Sequence, residues 1–102
     1  MNSDSVYEEI PFEDAMFPIR LLQNKRLTPD TPEKGSLTWH EQIEILYFHS
    51  GSAAVTCGTR KYITVPGEIY IINPYEIHDV AYYGGTLVFD CIMAVSYTHL
   101  TL

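Results

Sequence analysis

The stretch WHEQIEILYFHSG, Trp39 to Gly51, and its later counterpart VPGEIYIINPYEIH, Val65 to His78, decide the fold. Both are dense in β-branched and aromatic residues and are punctuated by Gly51, Pro66-Gly67 and Pro74, the pattern of short strands between turns. Working outward, SAAVTCG, RKYITV, IHDVAYY and TLVFD repeat the pattern, with Gly58-Thr59 and Gly84-Gly85 as further breaks. Gly51 and Gly67 read as turn residues that accept positive φ or allow tight packing, Pro66-Gly67 suiting the centre of a type II turn. Upstream, Phe17 to Leu27 alternates apolar and polar residues and predicts a first strand, and TPDTPEKGS, Thr28 to Ser36, predicts a surface loop. No convincing amphipathic helix interrupts the series. The expectation is an all-β chain folded as an antiparallel barrel or sandwich.

The same two stretches hold the chemistry. His40 and Glu44 precede or open one strand and His78 follows a later hairpin, so a barrel can bring two imidazoles and a carboxylate together inside. Such a trio suits a metal such as zinc, iron, manganese or nickel. It suits equally a pocket that hydrogen-bonds a hydroxylated or anionic molecule, or histidines that tie a loop to a strand. Four residues of extended chain would hold His40 and Glu44 about 13 Å apart, so either joint role needs a bend at Glu41-Gln42. Trp39 offers a flat apolar face for a sugar ring, or for packing. Of the tyrosines at 47, 62, 70, 75, 82 and 83, about half point inward by strand alternation. Cys57 and Cys91 form no CxxC motif and read as buried thiols.

Composition sets the limits. The chain has 102 residues, enough for one domain. Hydrophobic types make up 46% and charged types 19%, a balance that supports a buried core rather than disorder. Thirteen acidic and six basic residues give a net charge of −7, the wrong sign for gripping phosphates, so this stretch is not expected to touch nucleic acid. The basic pairs Lys25-Arg26 and Arg60-Lys61 read as solvated hairpin ends. Apolar runs are far shorter than a membrane-spanning helix requires, and the first fifteen residues carry five acids and no Lys or Arg, unlike a signal or transit peptide. A soluble, cytoplasmic protein with no membrane partner is expected. Residues 1–16 read as a flexible acidic N-terminal arm.

His40, three residues, Glu44, six residues and Gly51 resemble the latter part of the first cupin motif, with Thr38 where its first histidine would stand. Gly67 and His78 resemble parts of the second motif, at a shorter spacing. The combination of the tryptophan-histidine pair, the pattern E-x-I-E-I-L-Y-F at Glu41 to Phe48, a Gly-small hairpin and VPGEIYIINPYEIH is similar to the N-terminal sensing domain of AraC-type (AraC/XylS) transcriptional regulators, over about Phe17 to Met93. The resemblance implies a cupin-like β-barrel (double-stranded β-helix or jelly roll) over residues 17–94, incomplete at its C-terminal end. It implies an effector site at Trp39, His40, Glu44 and His78, no cofactor and no catalysis. The effector would be a small molecule of the sugar class that shifts an N-terminal arm or dimer surface. In the full-length protein a homodimer, and DNA contact through a later helix-turn-helix module, would follow. The competing expectation is a small metal-dependent cupin isomerase or oxygenase with His40, Glu44 and His78 as ligands. The last eight residues, VSYTHLTL at 95–102, resemble one translated frame of a sequencing-library adapter, GTC TCT TAT ACA CAT CTG ACG CTG. They are expected to be non-native, which removes His99 from consideration and places the natural gene's continuation beyond Met93.

Overall fold

The structure is a computed structural model that describes residues 5–10, 19–32 and 37–95. The expectations for residues 1–4, 11–18, 33–36 and 96–102, including almost all of the adapter-like tail, lie outside the described residues. Every regular element described is a strand. In chain order these are β1 (Val6–Tyr7), β2 (Ile19–Leu27), β3 (Thr38–Trp39), β4 (Gln42–Cys57), β5 (Arg60–Ile63), β6 (Ile69–Ile72) and β7 (His78–Val95).

Two long strands form the spine. β4 and β7 run antiparallel over their whole length, from Gln42 opposite Val95 to Cys57 opposite His78. At one end β2 lies on β7 and β6 on β4; at the other, β3 lies on β7 and β5 on β4. Each strand of the spine is therefore shared by two half-sheets. Among the described residues no pairing closes the sheet into a full ring. This is the all-β, cupin-like architecture expected, in an open form.

The half-sheets meet at a glycine corner. Gly51 and Gly84-Gly85 read as turns in the sequence, and the structure corrects this: neither ends a strand. The β4–β7 register shifts between Phe48 and Ala53, and Gly51 and Gly85 both have φ of 70°. These are bulges, which need the left-handed region as a tight turn does but bend the strand instead of reversing it. A Cβ on Gly51 would stand 2.6 Å from the backbone of Thr86 and Leu87, so the crossing strands touch there. Ser50 Oγ donates to the Thr86 carbonyl at 2.6 Å, and the Ala53 amide donates to Thr64 Oγ1 at 2.8 Å, satisfying groups released by the broken ladder. The remaining turns follow the sequence. Gly58-Thr59 closes a two-residue hairpin with Gly58 at φ 60°, and Gly67 has φ 88° beneath a 3.2 Å bond from the Glu68 amide to the Val65 carbonyl, as a type II turn requires.

Between the half-sheets lies one core. Leu46, Phe48 and Ile72 from one half meet Ala53 and Val55 from the other, with Leu87, Phe89, Cys91 and Met93 along β7. The Phe48 and Phe89 rings stack at 5.2 Å, and Tyr70 sits edge-on to Phe48 at 5.6 Å. Both cysteines are buried thiols, as expected. Tyr70 and Tyr82 pack against this core, while Tyr47, Tyr62, Tyr75 and Tyr83 are exposed.

Of the N-terminal segment the structure describes residues 5–10. β1 pairs in parallel with β3, with 2.8 Å bonds from the Val6 amide to the Leu37 carbonyl and from the Glu8 amide to the Trp39 carbonyl. Ile10 then enters the core. Backbone pairing and one buried isoleucine dock the segment, a gain that its acidic composition does not reveal.

Candidate functional site

The chain bends where the His40–Glu44 pair demands it. β3 ends at Trp39 and β4 begins at Gln42, leaving His40 and Glu41 outside either strand. His40 Nε2 thereby reaches Glu44 Oε1 at 2.9 Å rather than standing a strand's length away. From the opposite half-sheet, His78 opens β7 and brings its Nε2 to within 3.3 Å of the same oxygen. All three side chains are buried, and the imidazoles meet edge to face at 4.7 Å. Glu44 thus points into the barrel and joins its two halves.

The proton positions follow from the partners. His40 Nδ1 lies 3.0 Å from the Gln42 carbonyl and His78 Nδ1 lies 2.8 Å from the Glu76 carbonyl. A carbonyl only accepts, so each Nδ1 carries a proton and donates it. In a neutral ring each Nε2 would then face Glu44 with a bare lone pair. Two lone pairs against a carboxylate repel, so the cluster requires a positive charge at its centre: a proton that makes an imidazolium, or a cation. Burial acts to raise the Glu44 pKa, but the hydrogen bonds and charge of His40 and His78 outweigh it and hold the carboxyl at about 2. Burial acts to lower the His78 pKa, but the bonds to Glu44 and the Glu76 carbonyl, with the charge of Glu44 and Glu8, leave it raised.

The donor set fits a metal ion in chemistry and spacing. Two imidazole nitrogens and a carboxylate oxygen lie within 4.8 Å of one another, each imidazole oriented by a backbone carbonyl behind it. Where a fourth ligand would stand in the cupin pattern there is Thr38, whose buried Oγ1 has no hydrogen-bond partner.

Beside this cluster lies a cavity of about 200 Å³. Glu44 and His78 are in its wall; neither His40 nor Trp39 is part of the lining. Leu22, Leu27, Val80, Phe89 and Met93 give the wall apolar surface, Arg20 and Lys25 bring cations from β2, and Glu8, Glu9 and Ile10 cross from the N-terminal segment. Trp39 instead stacks with Tyr7 at 4.7 Å and with Tyr75 at 6.3 Å. Of the four residues singled out in the sequence, the structure gathers His40, Glu44 and His78 and leaves Trp39 apart. Sequence reasoning passed over Arg20, Lys25, Cys91 and the arm residues. Arg20 and Leu22 share one face of β2, and Phe89, Cys91 and Met93 one face of β7, so strand alternation was the signal available for them. Lys25 is exposed, as a solvated side chain should be, but it lies within β2 rather than at a hairpin end and borders the cavity.

Comparison with known proteins supports the same architecture. Solved structures similar to the chain include a predicted oxalate decarboxylase from Thermotoga maritima, with 20% identity over 61% of this chain and 56% of that one and a TM-score of 0.55. A cupin 2 conserved barrel domain protein from Rhodopseudomonas palustris shares 16% identity over 84% of this chain and 58% of that one, with a TM-score of 0.56. A cupin protein from Bacteroides fragilis shares 20% identity over 78% and 64%, with a TM-score of 0.55. At such identities the likeness is one of fold, and the chain spans little more than half the length of the first two. No curated protein matches it. The family model for the AraC-like ligand binding domain matches residues 28–94, a segment that contains the whole His40–Glu44–His78 cluster and the part of the cavity wall that β4 and β7 supply. The chain belongs to the AraC-like ligand binding domain family.

Proposed function

We propose that this domain senses a small sugar-class molecule for a cytoplasmic transcriptional regulator and performs no catalysis. DNA reading would belong to a helix-turn-helix module outside this acidic domain, and two copies would act together. The observation that carries the reading is the cavity, where apolar walls and a few convergent polar groups meet as in a small-molecule site. A cavity of about 150 Å³ is enough for one benzene ring, so about 200 Å³ suits a single ring-sized molecule. Phe89 and Leu22 offer apolar surface, while Glu44, His78, Arg20 and Lys25 offer partners for hydroxyls. Glu8 to Ile10 lie across the same space, so a bound molecule would contact the docked arm and can bias its position. Such a bias requires unequal binding to the docked and undocked states. A thermal-shift screen with monosaccharides and sugar acids tests this: a saturable rise in Tm with one of them supports the reading, and a flat response to all of them contradicts it.

The convergence of two oriented imidazoles on Glu44 favours one second reading, a metal-dependent cupin enzyme. His40 and His78 through Nε2 and Glu44 through Oε1 would hold the ion, which would polarise a substrate oxygen as a Lewis acid. Metal analysis after dialysis separates the two. Stoichiometric metal lost in His78→Ala favours the enzyme; a metal-free, folded domain favours the sensor.

A further inference from the structure

β2 changes face partway along. Its first half pairs Arg20 with Met93 and Leu22 with Cys91, so these two share the inner face with the core residues of β7. Strict alternation would next turn Asn24 and Arg26 inward and leave Lys25 and Leu27 outside. The pairing instead resumes with Lys25 opposite Phe89 and Leu27 opposite Leu87, and leaves Gln23 and Asn24 together against Asp90. That is a bulge, and it re-aims the side chains that follow. Arg20, Leu22, Lys25 and Leu27 accordingly all line the cavity of about 200 Å³. Leu27 gains packing against the core from the change. Lys25 gains none: its Nζ stands 6.0 Å from the centre of the Phe89 ring, and among the described residues no carboxylate pairs with it. The bulge is held from the outer face. Asn24 has φ of 53°, a left-handed conformation that asparagine tolerates better than most residues. Its amide donates to Asp90 Oδ1 at 2.8 Å, and Asp90 Oδ2 lies 2.9 Å from His49 Nε2. Asp90 thus replaces the acceptor that the broken ladder withdraws from Asn24, and His49 of β4 steadies the carboxylate that does so.

We propose that this bulge makes the cavity selective for a carboxylate, with Lys25 as the residue that recognises it and Asp90 as the residue that positions Lys25. The proposal rests on the reading of the cavity as a small-molecule site and narrows its occupant to a sugar acid. Arg20 brings a second cation from the same face of β2. A carboxylate accepts from both, in charge-assisted bonds that a neutral sugar does not make. The acids that share the cavity, Glu8 and Glu9 from the N-terminal segment, accept from hydroxyls, which a sugar acid also carries. They limit the charge of the occupant as well. One carboxylate is matched by the cations of β2, whereas the larger charge of a phosphate would meet repulsion from Glu8 and Glu9.

Isothermal titration with matched pairs, glucuronate beside glucose and galacturonate beside galactose, tests the assignment. The parent chain should bind at least one acid about tenfold or more tightly than its neutral partner, the worth of one hydrogen bond to a charged group. Lys25→Met should weaken that acid about tenfold and its neutral partner far less. Asp90→Ala should lower the same preference, and adding Lys25→Met to it should change little, because both act through one ammonium. Asn24→Gly keeps the amide and accepts the positive φ, so it should keep the preference. Far-UV circular dichroism checks that each variant folds; Lys25 is exposed, so Lys25→Met carries the test even if Asp90→Ala unfolds. A neutral sugar bound as tightly as its acid, or an acid that Lys25→Met binds like the parent, overturns the proposal while the small-molecule reading stands. A folded Asp90→Ala that keeps the preference overturns the role of Asp90. Binding of none of the four overturns the proposal too, and the wider thermal-shift screen then decides separately whether the small-molecule reading falls with it.

Discussion

Glu44 is the residue on which the interior of this barrel turns. It is a buried carboxylate shared by imidazoles from two half-sheets, and both rings are held by carbonyls that fix which nitrogen faces it. The Glu44 carboxyl has a folded pKa of about 2, below its ordinary 4.5, so its contribution to stability is complete above about pH 4.5 and is lost as pH falls toward 2. The His78 contribution runs the other way. With its folded pKa raised above 6.5, it is complete below that value and is lost as pH rises through the folded pKa. Urea unfolding across pH should therefore show greatest stability between 4.5 and 6.5, with a fall on either side. Glu44→Gln should flatten both limbs and cost about 3–5 kcal/mol at the maximum, since it leaves two buried rings without their anion. The convergence of His40, Glu44 and His78 was legible because their spacing allowed contact only with a bend, and the bend is there. The separation of Trp39 from them was not: it ends β3, one residue before the bend, and meets Tyr7 and Tyr75 instead.

At the scale of elements, the corner between half-sheets rests on Gly51. Its positive φ was legible in the sequence, but a turn and a bulge make the same demand on the backbone. Only the pairing of β4 with β7 on both sides of it separates the two. The consequence is a difference between glycines. Gly51→Ala places a Cβ 2.6 Å from the Thr86 and Leu87 backbone, whereas Gly58→Ala meets open space in its hairpin. Both carry the left-handed backbone penalty of about 1 kcal/mol or more, so Gly58→Ala should cost about that much. Gly51→Ala should cost at least about 3 kcal/mol, because backbone on both strands must move. Denaturant midpoints of the two variants check the contrast. The strands themselves were legible from composition and turn residues, since β-branched runs between Pro-Gly and Gly-Thr leave little choice. That two pairs of them fuse into 16- and 18-residue strands was not.

Over the whole molecule, the cavity joins parts of the chain far apart in sequence: the N-terminal segment, β2, the head of β4 and both ends of β7. This is why its wall could be read only in part from any one stretch. The docked segment is its most revealing member. Ile10 is buried in the core while Glu8 and Glu9 face the cavity, so Ile10→Ala should cost about 2–3 kcal/mol of stability or undock the segment. Faster proteolysis between residues 5 and 19, with the barrel intact, would report undocking. The central claim is that the barrel interior receives a small molecule, and isothermal titration of the chain and of Val80→Trp with a panel of monosaccharides and sugar acids tests it most directly. Val80 lines the cavity and is only partly buried, so the larger ring should fill the space without unfolding the domain. The account predicts one-to-one binding of a member of the panel to the parent chain and none to Val80→Trp. Binding that is equal in the two, or absent from the parent across the whole panel, would contradict it.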